Sequence, residues 1–442
     1  MATFPSAFFE KRLADCVSNA VDALENTLNA AREPHAAALA ALLRSGMHTD
    51  ARAMAWERLH SERYYTVPVE FSEAYGTAEL ACSNEALAQG DIDTALRAVD
   101  MCLLMGGPQS RQVARKRAQQ LMPLVQVDID PGGESERERQ QTLSLRCPSL
   151  RLGMTVGLAK RHAIKRISAP SISKFLNDHI NPSIPVIITG AMNHWPAMSG
   201  ERRWSNLNYL RRVAGPRLVP VEIGENYLHE DWSQQLLPLS DFIDRFVEGA
   251  DASAPAHKGY LAQHKLFDQV EDLRRDVCIP DYCALARHDE RNIDENENED
   301  KDVVLNAWFG PSGTVSPLHY DPKHNLLAQV VGSKYICLFS PSDSASLYPD
   351  EGGLMPNNSR VDFTCPNLEK YPLYGNVTGM ECELQAGEML YIPPLFWHGV
   401  RSQSTSFSVS FWWGKKWSLN DGSLKSNTET NMGIPRQKRK RA

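Results

Sequence analysis

Apolar residues recur every three or four positions in the first part of the chain, as at Leu13, Val17 and Val21. That spacing is the period of an amphipathic α-helix with one buried face. Helix-breaking residues interrupt the pattern at four places: 33–34, 66–68, 89–91 and 106–108. Asp91 is suited to cap the helix that follows it. We therefore predict an all-helical N-terminal domain over residues 1–124, built of helix pairs that stack like repeats but show no fixed period.

The pattern changes after residue 124. Residues 125–149 are rich in Asp, Gly, Glu, Arg and Gln and predict a linker. Beyond the linker, short β-rich runs alternate with turns and predict strands at these positions: 185–190, 218–223, 303–309, 326–331, 335–339, 389–392 and 407–413. Many short strands indicate a sandwich or barrel. The chain is therefore predicted as α+β, with a second domain over 150–417 and a polar, basic tail over 418–442.

Composition narrows the functional class. The 442 residues are 42% hydrophobic and 23% charged, with a net charge of -7, which is typical of a globular protein and gives no global attraction to nucleic acid. Nine cysteines without a C-x-x-C pair indicate reduced thiols. Charged residues at 10–12 interrupt any signal peptide, and no apolar run is long enough to span a bilayer. These features predict a nuclear or cytoplasmic protein without a membrane partner.

Two charged segments can each be interpreted as solvated surface or as a functional site. Residues 287–302 carry eight carboxylates and are predicted to form an exposed acidic loop, since they lack the glycine and regular spacing of a calcium loop. Residues 435–441 form a basic cluster. That cluster is either a solvated terminus or a nuclear localisation signal, and it is the one segment predicted to contact nucleic acid.

The motif His-x-Asp occurs three times, at His48/Asp50, His229/Asp231 and His319/Asp321. A non-haem Fe(II) oxygenase needs two imidazoles and one carboxylate on one face of the ion. The first copy lies in a helical region, where residues two apart point about 200° apart. The second copy lacks accompanying motifs. In the third copy, both side chains can project from one face of a strand.

The surroundings of His319 distinguish it from the other copies. Asn306, Ser316 and Asn325 flank the motif, and Lys334 follows on the next predicted strand. Further along, the run 387–397 ends a strand with prolines and aromatic residues immediately before His398. We therefore predict that His319, Asp321 and His398 bind the metal and form the catalytic centre.

Several ordered segments resemble the JmjC domain of the JmjC-domain protein five family: 185–196 (PVIITGAMNHWP), 219–234 (VPVEIGENYLHEDWSQ), 259–266 (GYLAQHKL), 306–334 and 387–413. The resemblance covers about residues 150–415, and the helical N-terminal region is also similar to that family. It implies a double-stranded β-helix of the jelly-roll or cupin type, with flanking helices and eight core strands around an iron ion. The implied cofactor is Fe(II), with 2-oxoglutarate and O2 as co-substrates.

The family pattern also implies the co-substrate site. Lys334 would bind the distant carboxylate of 2-oxoglutarate, unless it is simply an exposed strand lysine. Tyr260, Ser316 and Asn325 would donate hydrogen bonds to the co-substrate. Two tryptophans, Trp308 and Trp412, resemble residues that line the cavity, although core packing is an alternative for each. Core packing is the prediction for Trp397 and Trp413.

Three residues indicate which type of side chain the substrate presents. Glu222, Tyr227 and Trp232 resemble an arginine-accepting pocket, since a guanidinium group seeks a carboxylate beside aromatic faces. Surface ion pairing is the alternative for Glu222. The favoured activity is hydroxylation of an arginine side chain in a protein, with a histone or a ribosome- or chromatin-associated protein as the expected class of substrate. N-methyl-lysine demethylation of histones by the same chemistry is the second hypothesis.

A third hypothesis is a scaffold that binds a protein partner through its helical domain and has lost catalysis. The complete set of His319, Asp321, His398 and Lys334 argues against that scaffold. Hydrolase classes are weaker still, because the chain has no G-x-S-x-G elbow, no H-E-x-x-H helix and no phosphate-binding loop.

Overall fold

The structure is a computed structural model of the chain. It describes residues 6–31, 34–61, 66–125, 160–249, 258–288, 302–352 and 355–419. Most of the predicted linker, the centre of the acidic loop and the basic tail lie outside these ranges. No helix within them combines the length and apolarity needed to cross a bilayer. The contacts divide the chain into two compact units: Met1–Ile129 with Ala214–Leu218, and Asp130–Val213 with Val219–Ala442.

The first unit is helical, as predicted. Its helices are α1 Ser6–Ala31, α2 Pro34–Arg44, α3 His48–His60, α4 Val69–Ala88, α5 Ile92–Met105 and α6 Pro108–Leu121, followed by a 3₁₀ turn Met122–Leu124. The helix starts coincide with the Pro and Gly breaks in the sequence. Asp91 caps α5 by accepting a hydrogen bond from the backbone N–H of Thr94 at 3.0 Å, which confirms the predicted cap. Buried Ala and Leu residues of neighbouring helices form its cores.

The second unit has fourteen strands among the described residues. They are β1 Lys160–Ala163, β2 Arg166–Ser168, β3 Val186–Thr189, β4 Leu218–Ile223, β5 Ser233–Pro238, β6 Gly259–His264, β7 Val304–Gly310, β8 Val315–Tyr320, β9 His324–Val331, β10 Ser333–Phe339, β11 Thr378–Gln385, β12 Glu388–Ile392, β13 Trp397–Ser402 and β14 Ser406–Trp413. The seven predicted runs correspond to β3, β4, β7, β9, β10, β12 and β14.

Short helices flank these strands. They are α7 Ile172–Phe175, α8 Leu207–Ala214, α9 Leu239–Phe242, α10 Leu266–Gln269 and α11 Glu271–Arg274. Two π-helical turns continue α7 and α9, at Leu176–Ile180 and Ile243–Glu248. Short 3₁₀ turns lie at Pro196–Met198, Gly200–Arg202, Asp281–Ala284, Pro341–Leu347 and Pro372–Asn376.

The strands form two sheets, a five-stranded one in the order β1-β11-β10-β13-β8 and a nine-stranded one in the order β2-β3-β12-β9-β14-β7-β6-β4-β5. The last eight strands, β7 to β14, contribute four neighbours to each sheet, and all pairings among these eight are antiparallel. This arrangement is the double-stranded β-helix that the resemblance implied. The α+β fold class is therefore confirmed, with a helical unit followed by a jelly-roll barrel.

The interior of the barrel has an apolar part and a polar part. Ile336, Leu338 and Leu390 belong to a buried apolar cluster between the two sheets. By contrast, β14 carries buried serines at 406, 408 and 410, and β9 carries the buried Gln329. Gln329 and Ser408 hydrogen-bond to each other at 2.7 Å. Because side chains alternate along a strand, these polar residues share the inward face, and Ser410 among them lines a cavity.

Candidate metal centre

Two histidines face each other across adjacent strands of the five-stranded sheet. His319 of β8 lies directly opposite His398 of β13 in the strand register. Their ring centroids are 4.2 Å apart. Side chains that are opposite on one face of an antiparallel pair are close neighbours. The pairing therefore brings together two imidazoles that are far apart in the sequence.

Asp321 completes the group from just beyond the end of β8, so the expectation that it shares a strand with His319 is wrong by one residue. Its side-chain oxygens lie 4.0 Å from His319 Nε2 and 3.5 Å from His398 Nε2. The backbone N–H of Leu395 donates to the Asp321 carbonyl at 2.8 Å. Leu395 is fully buried with φ of 63°, a backbone region that is disfavoured for residues with a Cβ. This strained residue lies in the sequence between Asp321 and His398, three residues before His398.

The two imidazoles are oriented for metal binding. Nδ1–H of His319 donates to the Pro317 carbonyl at 2.7 Å, and Nδ1–H of His398 donates to the Phe396 carbonyl at 2.9 Å. Since a carbonyl only accepts, the Nε2 lone pairs are left free, as a metal-binding histidine requires. The three side chains offer ligand atoms that all lie within 4.8 Å of one another. The donor set therefore fits a two-histidine, one-carboxylate site for Fe(II).

Electrostatics favours the ligand-competent protonation states. Burial, followed by the charge of His398, lowers the pKa of His319 to about 4, so its imidazole is neutral near pH 7. Burial alone would raise the pKa of Asp321, but the adjacent side chains of His398 and His319 hold that pKa below its usual value. A neutral imidazole and an ionised carboxylate are the forms that coordinate a metal.

The other two His-x-Asp motifs lie in different settings. His48 begins α3 and its Nδ1 contacts Glu85 at 2.7 Å. His229 and Asp231 are on a loop, with 47% and 88% of their side chains exposed. Within the described residues, His319, Asp321 and His398 are the group whose geometry could hold a metal ion.

Lys334 is buried on the inward face of β10, with only 1% of its surface exposed. Its Nζ donates to the Tyr260 hydroxyl at 3.2 Å and lies 6.0 Å from the centre of the Trp308 ring. Burial lowers its pKa to about 7. The alternative of an exposed strand lysine is therefore wrong. A buried cation of this kind is completed by an anionic ligand.

One cavity joins the lysine to the metal centre. It is lined by Tyr260, Trp308, Ser316, His319, Asp321, Asn325, Leu327, Lys334, Ile392, His398, Val400 and Ser410. Eight of these residues were singled out from the sequence. Leu327, Ile392, Val400 and Ser410 were not, although the alternation along their strands would have placed them on the inward face. Ser410 accepts a hydrogen bond from the Trp308 indole at 3.0 Å, which fixes the ring in the cavity wall.

The predicted substrate residues lie beside this cavity on neighbouring elements. Glu222 of β4 is opposite Tyr260 of β6 in the register. Burial raises the pKa of Glu222, an effect that its hydrogen bond with Trp232 opposes. Tyr227 donates to Asn358 Oδ1 at 2.7 Å. The pKa of Tyr227 is raised by burial, then by the charges of Asp321 and Glu222.

Asn358 was not anticipated from the sequence. It is 3% exposed and forms an isolated backbone bridge with His319. Through its bond with Tyr227, it connects the loop after β4 to the metal-binding strand. Its segment, 348–360, carries no strand or helix pattern that could have revealed this role.

The predicted roles of the four tryptophans, either core packing or lining the cavity, agree with the structure in part. Trp397 and Trp413 are buried, and their indoles donate to Ser344 Oγ at 2.9 Å and to the Leu285 carbonyl at 2.8 Å, which confirms their packing role. Trp308 lines the cavity. Trp412 is not among the lining residues, but it shares an inward face with Ser410 on β14.

Comparisons with known proteins agree with this architecture. A sequence profile described as a cupin-like domain matches residues 172–418, and one described as KDM8-like N-terminal ARM repeats matches residues 33–125. The second match assigns armadillo-type repeats to the helical unit, in which no fixed period was detectable from the sequence alone.

Three relatives illustrate the similarity. Lysine-specific demethylase JMJ30 of Arabidopsis thaliana is 40% identical over 389 residues, which cover 83% of this chain and 85% of that protein. Lysine-specific demethylase 8 of Danio rerio is 40% identical over 365 residues, with 81% and 84% covered. Jumonji C domain-containing protein 5 of Drosophila melanogaster is 44% identical over 250 residues, with 57% and 59% covered. The chain therefore belongs to the JmjC family of cupin-fold, 2-oxoglutarate-dependent dioxygenases that includes these proteins.

Proposed function

We propose that this protein is an Fe(II)- and 2-oxoglutarate-dependent oxygenase that hydroxylates an arginine side chain in a protein substrate. The observation that carries the choice of arginine is the half-buried carboxylate of Glu222, which lies opposite Tyr260 of the cavity wall. When bound, Fe(II) and 2-oxoglutarate supply the oxidising chemistry, in which 2-oxoglutarate is decarboxylated to succinate. The chain's own residues bind, orient and shield the reactants.

His319, Asp321 and His398 would hold the metal from one side, because all three ligand atoms converge at the cavity. Lys334 would bind the distant carboxylate of 2-oxoglutarate, with Tyr260 and Ser316 beside it. Asn325 lies on the wall near the metal ligands and can donate through its amide. Trp308 would close the cavity around the co-substrate, and Trp412 lies on the same inward face beyond the lining residues. The scaffold hypothesis is disfavoured, since a protein without catalysis has no need to keep a buried lysine facing three metal ligands.

The substrate side of the cavity favours a cation. Residues 222–231 contain no Lys or Arg but carry Glu222, Glu225, Glu230 and Asp231. A guanidinium can donate two parallel hydrogen bonds to the Glu222 carboxylate and stack on an aromatic ring such as Tyr227. An arginine bound in this way places its aliphatic carbons between Glu222 and the metal centre, where a C–H bond can be oxidised.

N-methyl-lysine demethylation is the second candidate, because two of the relatives are named lysine-specific demethylases. The same acidic and aromatic residues can contact a methylammonium. Glu222 distinguishes the two, since a methylated ammonium cannot form the bidentate pair that a guanidinium forms. We also propose a nuclear or cytoplasmic protein substrate, such as a histone or a ribosome- or chromatin-associated protein, and a protein partner for the helical unit.

Mass spectrometry separates the candidates. The full-length protein is incubated with Fe(II), 2-oxoglutarate and either an arginine-containing peptide or an Nε-methyl-lysine peptide. We expect the arginine peptide to gain one oxygen. Loss of a methylene from the methyl-lysine peptide, with no change in the arginine peptide, would favour demethylation instead.

The chain offers a matched control for this assay. His319→Ala removes a histidine from the buried His-x-Asp motif, whereas His229→Ala removes one from the exposed copy. We expect no oxidised peptide with the first variant and wild-type yield with the second. Equal yields from both variants would contradict the assigned metal site.

A further inference from the structure

Three polar side-chain atoms are buried without a hydrogen-bond partner on the inward face of the nine-stranded sheet. They are Nδ2 of Asn306, Oδ1 of Asn325 and Nε1 of Trp412. Asn306 and Asn325 are only 3% and 5% exposed, so bulk water does not satisfy them. A buried polar group left unpaired is costly, and native proteins retain few of them. Three such groups together indicate a place that a polar ligand completes.

Strand pairing makes Trp412 a neighbour of both asparagines. Trp412 lies opposite Asn325 across β14 and β9, and Asn306 lies opposite Ser410 across β14 and β7. Trp308 and Ser410 line the cavity. Asn306 and Trp412 are each two residues from one of these lining residues and therefore share the inward face. Opposed and diagonal neighbours on one face approach within about 5 to 8 Å, so Trp412 lies between the two asparagine strands and within that range of each asparagine.

The chemistry of the three atoms selects the ligand. Asn306 Nδ2 and Trp412 Nε1 are donors, whereas Asn325 Oδ1 is an acceptor. A carboxylate offers only acceptors, and a guanidinium offers only donors. The main chain of a peptide offers both. In an extended strand, the N–H and C=O of one residue point to the same side and can pair with a single neighbour.

We propose that Asn306, Trp412 and Asn325 bind the main chain of the substrate residue that is oxidised. Asn306 and Trp412 donate to its carbonyl oxygen, and Asn325 Oδ1 accepts from its N–H, which leaves the Asn325 Nδ2 for the co-substrate. This inference rests on the proposed function, because it requires a peptide whose side chain reaches Glu222. Held at its main chain by this group and at its far end by Glu222, the side chain presents its central C–H bonds to the metal centre.

The test is equilibrium binding of an arginine-containing peptide to the full-length protein loaded with Mn(II) and 2-oxoglutarate, measured by calorimetry. We expect the peptide Kd to rise about five- to tenfold in Asn306→Leu and in Trp412→Phe, the range for one lost hydrogen bond. In Asn306→Leu, the Kd of 2-oxoglutarate should change less than twofold. An ester analogue that replaces the N–H of the target arginine by oxygen should bind the wild-type protein several-fold more weakly.

Asn208→Leu on α8, which replaces a partly exposed asparagine, is the matched control and should leave the peptide Kd unchanged. The ester analogue requires no variant, so it tests the proposal even if a substitution unfolds the protein. Unchanged peptide affinity for both folded variants and for the ester would overturn the inference, and the three atoms would then hold internal water only. A weaker 2-oxoglutarate Kd with unchanged peptide Kd would overturn it too. A wild-type protein that binds no arginine peptide would overturn the proposed function as well.

Discussion

A lysine with almost no exposed surface is the residue that most clearly couples this structure to its co-substrate. Lys334 has a hydroxyl and two aromatic rings as neighbours. Burial disfavours its charged form, and its pKa falls to about 7. An anionic co-substrate must therefore select the protonated lysine, which makes binding dependent on pH in the physiological range.

We predict that the affinity for 2-oxoglutarate falls as the pH rises above 7. Lys334 is charged below its pKa and neutral above it, so the Kd should increase about tenfold for each pH unit beyond that point. The measurement is the Kd of 2-oxoglutarate for the Mn(II)-loaded protein between about pH 6 and pH 9. Lys334→Arg keeps its charge over this range, and its Kd should lose this dependence. The same slope in wild type and variant would contradict the assignment.

Glu222 gives the second prediction at this scale. Glu222→Gln removes the charge but keeps the shape, so the Kd of an arginine peptide should rise about ten- to hundredfold, the effect of losing a charge-assisted pair. Because burial raises the pKa of Glu222, wild-type affinity should also fall as the pH is lowered, at a higher pH than for an exposed glutamate. The control is Glu225→Gln, whose side chain is 67% exposed and should bind within twofold of wild type. Equal losses in both variants would count against a specific carboxylate.

At the scale of elements, the antiparallel pair β8–β13 creates the metal centre and the hairpin β9–β10 carries Asn325 and Lys334. The hairpin turns at Gly332, whose φ is +74°. A Cβ at this position would lie 2.0 Å from the carbonyl oxygen of Thr405. The turn therefore requires glycine for both its backbone conformation and its close packing.

We predict that Gly332→Ala lowers the free energy of unfolding by at least about 2 kcal/mol, because it combines left-handed strain with a backbone clash. Gly352→Ala is the control: that glycine has no atom within 4 Å of an added Cβ and no positive φ. Chemical denaturation of the three proteins measures the difference. A loss of stability no greater for Gly332→Ala than for Gly352→Ala would show that the hairpin adapts.

The strands differ in how clearly their sequences predict them. Apolar runs predicted β3, β4, β7, β9, β10, β12 and β14, which are largely buried. The metal-binding strands β8 and β13 lack such a run, since Pro317, His398 and Gly399 break their apolar pattern, and strands at His319 and His398 were expected only from the metal-ligand motif. The residues that serve the metal site replace apolar residues in these strands, and this weakens the hydrophobic pattern by which a strand is predicted. The ligands were still found, because their chemical types and order are more specific than their local propensity.

Other parts of the site depend on tertiary structure. Asn358 reaches Tyr227 and His319 only through folding of a segment without regular structure. Asn306 Nδ2 is left without a hydrogen-bond partner by the register of β7 and β14. Sequence spacing contains no information about which buried amides find partners, so these two residues could be identified only from the coordinates.

The whole molecule combines a helical unit matched by ARM repeats with a jelly-roll barrel. The barrel alone supplies all the residues assigned to metal, co-substrate and substrate. Helical repeats commonly present extended binding surfaces, so the helical unit is suited to select a protein partner while the barrel performs the chemistry. We therefore expect the barrel to catalyse the reaction. The expected products are succinate and an oxygenated peptide.

The most direct test of this account uses isotopically labelled O2 and measures both products from one reaction with an arginine peptide. We predict one labelled oxygen in the arginine residue for each succinate formed, and neither product with His319→Ala. Unlabelled oxygen in the peptide, or succinate formed with no oxidised arginine under any condition, would contradict the assignment of this protein as an arginine-directed oxygenase.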